Sequence, residues 1–476
     1  MLTMALAATL LLPLLLVLQG RWRLVLLFAI VVGFLQDPMR KMAPGEPVHF
    51  VLLVLVVVAI AATVPFLRGG GLRLRWLFHR DTALITLASV FMVLVVLQAA
   101  HALARWQSPV LPAIGLMFYF APFFALWLGS RYASTLGNVE TLMRVYSAMV
   151  LLMAVTVVLS FSGMELPLFE EVGGGVTIHT FDGPLETHIG LFRASEIAAW
   201  HLVTAACFIT ILGFASGKLR WIVVALVIAL ALVALTMLTG RRKVLALFAG
   251  FGAVYALMIW NMRGRSVRSN LVAGLLGTAF VVFTFLVFAV EQRVGETWAS
   301  YLTRASTVWG DVDDRMTQLG FGSIRWAWNR GGFVGLGTGA AAQGAQHFGG
   351  GVAGGAGEGG LGKITVELGA LGLLLAGLLL AALVRHFWRI AKIVRRQSPR
   401  MQFVFYGLLA WLATNLPVFM VASQAYGDPF ILLMLGLSAG MLLAVPEMVQ
   451  RMALRQQWAE ARPVAALVPS AAEMRR

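Results

Sequence analysis

Three cations stand in the short turn Leu238-Thr239-Gly240-Arg241-Arg242-Lys243-Val244, between two apolar runs with almost no loop to separate them. Guanidinium groups stay charged at any working pH, and their planar fork grips phosphate oxygens two at a time. The turn therefore reads either as an anion-binding pair, Arg241 and Arg242, or as side chains snorkelling to a membrane surface. A second charged group closes the stretch Gly190-Leu-Phe-Arg193-Ala-Ser-Glu196-Ile-Ala-Ala-Trp200-His201. Read as the first turns of a helix, Arg193, Glu196 and Trp200 share a face, so an Arg193–Glu196 surface pair competes with a binding role. A third runs from Asp311-Val-Asp313-Asp314-Arg315 to Gly331-Gly332, with acidic residues before a helical pattern and glycine after it. Asp311 and Asp313 read as helix capping or as a thin divalent-ion site. Beyond Gly331 lies a glycine-rich tract holding His347, which ends at Glu358 and leads to Glu367 in the next apolar run. Carboxylates and imidazoles so placed are candidate proton acceptors. For Glu367, pairing with another span is the expectation.

The elements that must position these groups are set by composition. The chain has 476 residues, 60% hydrophobic and 12% charged, with a mean hydropathy of +0.85. Soluble proteins carry roughly twice that share of charge, about 25%, so a water-soluble globule is excluded. Thirteen apolar segments are expected, near 2–20, 22–36, 48–67, 82–102, 109–129, 141–161, 197–216, 221–239, 244–260, 271–290, 364–384, 403–422 and 430–446. They drop to twelve if 1–36 forms one irregular pair. The first run has no preceding basic residue and no A-x-A site, so it reads as a retained span rather than a cleaved leader. Residues 1–476 then form one membrane domain with two long connections, 162–196 and 291–363, a basic stretch 385–402, and a tail over 447–476.

The net charge of +16 raises the question of nucleic acid. Placing the basic loops around Arg68–Arg80 and Arg385–Arg400 in the cytoplasm and alternating from there gathers most Lys and Arg inside and most Asp and Glu outside. The basic excess is then a consequence of topology and needs no nucleic acid. The same alternation puts the 239–243 turn and both long connections on the outer face, against the positive-inside trend for Arg241–Lys243. Cys207 is the single cysteine, which rules out an intrachain disulfide. His179, Asp182, Glu186 and His188 fit no compact metal-ligand spacing. Gly335-Leu-Gly337-Thr-Gly339 lacks the strand and βαβ unit of a dinucleotide site and reads as a flexible loop whose bare backbone lets a bulky substrate approach.

In this order, G-L-F-R-A-S-E-I-A-A-W, T-G-R-R-K, D-R, an amphipathic helix, G-L-G-T-G and E-G-G-L-G-K-I-T-V-E-L-G-A-L-G, the chain resembles the O-antigen ligase and polymerase superfamily of bacterial envelope proteins, over roughly residues 140–385. In that family a His-Asn pair opens the helix carrying E-L-G-x-x-G. Here Glu358-Gly359 stands in its place, while Glu367-Leu-Gly-Ala-Leu-Gly372 is kept. The resemblance implies an all-α polytopic fold of about 12–13 transmembrane helices with GT-C-like architecture and two structured periplasmic loops. It implies a polysaccharide polymerase in the bacterial inner membrane, its active site facing the periplasm. The donor would be a polyprenyl diphosphate-linked oligosaccharide, with no metal or other cofactor, and an export or chain-length-regulating protein as partner. Arg242 and Arg315 match the family's arginines, Arg241 replaces a serine, and Arg193 is the substitute for a third; these four would hold the diphosphate. Glu358 or His347 would be the base, and Trp326 and Trp200 would contact glycan. The alternatives are a ligase using the same donor with a lipid A–core or protein acceptor, a transporter or flippase of the lipid-linked saccharide, and a scaffold.

Overall fold

The computed structural model describes residues 2–68, 77–78, 81–172, 178–180, 183–241, 243–260, 272, 275, 279, 301, 316–342 and 359–466. Among them ten helices are long and apolar enough to cross a membrane, and an eleventh span arises if one bent pair is counted. The protein is a polytopic helical membrane protein. Hydrogen bonding explains the choice of element, because only helices and closed barrels satisfy every backbone group inside lipid.

In chain order the helices are α1 (Leu2–Leu18), α2 (Trp22–Met42), α3 (Leu53–Arg68), α4 (Thr82–Trp106), α5 (Val110–Tyr132), α6 (Leu136–Phe161), α7 (Ser195–Ala215), α8 (Leu219–Leu238), α9 (Lys243–Trp260), α10 (Gly322–Gly331), α11 (Gly360–Val394), α12 (Pro399–Val421), α13 (Pro429–Leu443) and α14 (Val445–Ala466). Twelve of the thirteen expected apolar segments fall on these helices; the segment 271–290 lies outside the described residues except for isolated positions. In the first long connection an antiparallel hairpin pairs Ile178–Thr180 with Gly183–Leu185, a small departure from an all-α chain.

α7 lies at the centre. Its most apolar stretch is 94% buried, against 56% or less in the other nine of the ten spanning helices. α5 and α13 pack closely through small residues. Gly436 and Gly440, one helical turn apart, leave no room for side chains where they meet the carbonyl oxygens of Pro122 and Leu126, a small-xxx-small contact of the kind that lets membrane helices approach. α14 turns away from α13 by 43°.

The basic stretch expected as a loop at 385–402 is mostly helix. α11 runs 35 residues, to Val394, and α12 starts at Pro399. The unbroken part of α11, residues 370–394, is roughly 37 Å long at 1.5 Å per residue, longer than a hydrocarbon core of about 30 Å, so the basic turns project past it. There Asp81 takes Arg389 at 2.8 Å and Arg385 at 3.6 Å, and also caps α4 by accepting from the Leu84 amide. α11 is broken at Gly369, whose φ is +70°.

Candidate functional site

At the end of the bundle where α2 finishes and α7, α9, α11 and α13 begin, charged side chains cluster around the exit of the first long connection. Arg193 does not pair with Glu196. It precedes α7, and its guanidinium bridges Asp37 of α2 at 2.8 Å and Asp428 at the start of α13. Its amide also donates to Asp37, at 3.2 Å. Asp428 uses its other oxygen to cap α13 through the Ile431 amide, at 2.8 Å. With Arg193's two terminal nitrogens committed to carboxylates, the residue is a strut joining three elements.

Glu196 instead faces the turn after α8. Arg241 lies 3.3 Å and Lys243 2.7 Å from the same carboxylate oxygen. Arg241 also donates from Nε to the Ser195 hydroxyl at 2.9 Å, and Lys243 reaches the Gln424 side-chain oxygen at 3.0 Å. Two stretches singled out in the sequence therefore meet: the Arg193–Glu196 segment and the 239–243 turn. The carboxylate fixes both cations at the bundle end, leaving Arg241 partly exposed.

Lys41 holds the first connection down. Its ammonium donates to the carbonyls of Leu168, Gly190 and Phe192 at 2.8, 3.2 and 2.5 Å. Glu171 accepts from the Ser195 amide at 2.7 Å, so the connection is tied at both ends of its exit. His188 is also part of this anchoring: its amide donates to the Leu238 carbonyl at 3.0 Å. Burial holds its imidazole below the usual pKa, against the raising influence of the Glu186 carboxylate. Replacing Lys41 by Met should remove three charge-assisted bonds, each worth about 1.5–3 kcal/mol. The expected result is a lower melting temperature and faster proteolysis within 162–194; protection equal to the parent's would show that the connection is held by other contacts.

Over its described residues, 332–342, the glycine-rich segment beyond α10 is a packed strip. α10 ends where the sequence expects, at Gly331, with Gly332 at a positive φ of +58°. The chain then threads between α4, α5 and the break in α11. Leu336 and Gly337 donate their amides to the carbonyls of Val366 and Glu367 at 2.7 and 3.1 Å. Gln98 of α4 donates to the Val334 carbonyl at 2.6 Å. Glu367 is fully buried; it accepts from Tyr119 of α5 at 2.8 Å and from the Ala341 amide at 3.2 Å. The expectation that Glu367 pairs with another span is met. The flexible substrate-approach loop expected at Gly335–Gly339 is not: those glycines serve backbone-on-backbone packing.

Of the aromatic residues expected to touch glycan, Trp200 is fully buried and donates its indole N–H to Asn415 at 2.9 Å. Tyr426 donates to the same Asn415 oxygen at 3.0 Å. Trp200 is thus a packing residue of the bundle centre. Trp326 is half-buried on α10, with the Arg330 guanidinium carbon 4.1 Å from its ring centre. Arg242, Arg315, His347 and Glu358 lie outside the described residues, as do Asp311 and Asp313. Among the described residues no group of three or more His, Cys, Asp or Glu side chains is arranged to hold a metal ion.

Sequence reasoning missed the segment Ser423–Asp428, which links the two halves of this region. Gln424 meets Lys243, Asp428 meets Arg193, and just before it Met420 and Phe419 close on Gly359 and Gly360 at the start of α11. Asp37 was missed too, although an ionisable residue at the end of an apolar run is a signal in its own right. No protein-family model and no curated protein matches the chain.

Proposed function

We propose that the protein is a membrane glycosyltransferase that builds an envelope polysaccharide. It moves glycan from a polyprenyl diphosphate donor to a hydroxyl of another lipid-linked glycan at the periplasmic face of the bacterial inner membrane. One observation carries the reading. The separate stretches of the family resemblance come together in space: Ser195 and Glu196 on Arg241 and Lys243, G-L-G-T-G on E-L-G at Gly337–Glu367, and Phe419–Asp428 between Lys243 and the start of α11 at Gly359–Gly360. Such convergence is what a single site assembled from distant segments requires.

In this reading the acceptor hydroxyl attacks the anomeric carbon of the donor sugar. The bond from that carbon to the phosphate oxygen breaks, and the lipid diphosphate leaves with the electron pair. Arg242 and Arg315, together with Arg241, neutralise the developing charge; fixed cations do this best where they need not reorganise. Glu358 takes the hydroxyl proton, with His347 the competing base. Arginine supplies the electrostatic stabilisation without calling on a metal, and the transfer gives a GT-C-like fold its role.

Deleting the gene and analysing the lipid-linked saccharides tests the reading. A single repeat unit accumulating without long chains is the expected result. Complete polymer left on its lipid would mean a ligase, and unchanged polymer with unchanged intermediates would remove the protein from this chemistry. In complemented cells, Arg242→Lys and Arg315→Lys keep charge but lose the fork, so polymer should fall at least tenfold at normal protein levels. Glu358→Gln should bind donor and fail to transfer. If Glu358→Gln works while His347→Ala is dead, the base is the histidine.

A further inference from the structure

At the opposite end of the bundle, the ends of α2, α3, α5 and α14 enclose a pocket of about 230 Å³. Four arginines line it, Arg23, Arg68, Arg131 and Arg451, against one carboxylate, Glu447. Glu447 is paired with Arg451 at 2.5 Å. Arg23 donates to the Ser134 hydroxyl at 3.0 Å and stacks beside Trp22. Among the described residues no acceptor reaches the Arg68 guanidinium, which lies over the α1–α2 turn at Gly20. Among the described lining side chains four guanidinium groups stand against one carboxylate, a basic excess that an entering anion relieves.

The surroundings say what kind of anion. The pocket sits at helix termini, at headgroup depth for a membrane protein. Beside it the surface is hydrocarbon-facing, with Leu18 84% and Leu67 79% exposed, and Leu24 and Phe66 also open. Pro65 and Met448 add apolar lining to the pocket itself. A ligand matching this surface has phosphate oxygens in the pocket and apolar tails along α1 and α3. Arginine forks suit phosphate, and basic pockets between membrane helices hold anionic lipid headgroups on the same grounds. We infer that this pocket binds the phosphate headgroup of an anionic phospholipid, which ties α14 to α2, α3 and α5. The inference is independent of the proposed chemistry at the other end of the molecule.

The test uses the full chain in a neutral detergent, with thermal unfolding and native mass spectrometry. Phosphatidylglycerol should raise the melting temperature by several degrees and appear as a bound copy, because a ligand of the folded state alone stabilises it by mass action. Phosphatidylcholine should do neither. Arg68→Gln, and Arg68→Gln with Arg451→Gln, should keep the lipid-free melting temperature and weaken phosphatidylglycerol binding about tenfold or more. Arg395→Gln with Arg396→Gln, exposed arginines at the same end, should leave binding unchanged. Equal loss in that control would mean general surface electrostatics and overturn the site. An equal rise with inorganic phosphate alone would overturn the lipid assignment.

Discussion

Replacing Gly337 by alanine is expected to prevent the protein from reaching a detergent-stable fold, even if the chain is made and inserted. A Cβ at this position would lie 2.6–2.7 Å from the Cβ, Cα and N atoms of Ala102 on α4, and the residue's φ is +95°. Backbone strain alone costs of order 1–3 kcal/mol. The steric overlap adds to it, because main-chain atoms cannot rotate away as a side chain does. Separating α4 from the strip would also pull on Gln98–Val334 and Leu336–Val366. The sum passes the ~4–5 kcal/mol that marks an exceptional substitution. Gly332→Ala is the internal comparison. Its φ of +58° and ψ of −147° are nearly confined to glycine, but nothing lies within 4 Å of the added carbon, so only the backbone strain of about 1–3 kcal/mol is expected, with no steric overlap added. Melting curves and size-exclusion profiles of the two variants check this. A Gly337→Ala protein that melts like the parent and loses only activity would restore the reading of this tract as an open approach for substrate.

That contrast shows what the sequence could and could not reveal. Apolar run length, with charges and glycines at the ends, was enough to place helices such as α5, α7 and α12, because lipid leaves the backbone no other solution. The end of α10 at Gly331 was likewise legible from its punctuation. The path of Gly335–Gly339 was not. A glycine needed for flexibility and a glycine needed because another backbone occupies the space read identically in one sequence. The same limit applies to Arg193 and Glu196. Their spacing fits a helical pair, but α7 begins only at Ser195, and Arg193 found carboxylates 156 and 235 residues away. Long-range pairing of buried charges leaves no local periodicity to detect. The extension of α11 through the basic stretch was hidden for another reason: Arg and Lys are good helix formers, so charge marks the edge of lipid without marking the end of the helix.

The Arg193 strut supplies the second large effect and a way to separate structure from chemistry. Arg193, Asp37 and Asp428 side chains are 12%, 4% and 1% exposed. Arg193→Met should therefore strip two buried carboxylates of their paired cation, leaving Asp37 only the charges of Arg40 and Lys41 nearby, and removing one partner of a buried pair costs about 3–5 kcal/mol. The melting temperature should drop steeply. Adding Asp37→Asn and Asp428→Asn removes the stranded charge while keeping the useful acceptors. An asparagine at 37 can still accept the residue-193 amide, and an asparagine at 428 can still cap α13. Lys41 keeps its three carbonyls. The triple variant should recover most of the lost stability, since apolar or neutral replacements of a complete buried ion cluster are often nearly neutral. Its polymer output then decides the role of the arginine. If Arg193 acts only as a strut, output should return with the fold, to within a few-fold of the parent. A triple variant that melts like the parent yet makes no polymer would mean that the guanidinium also touches the donor, and the diphosphate role expected from the sequence would stand after all.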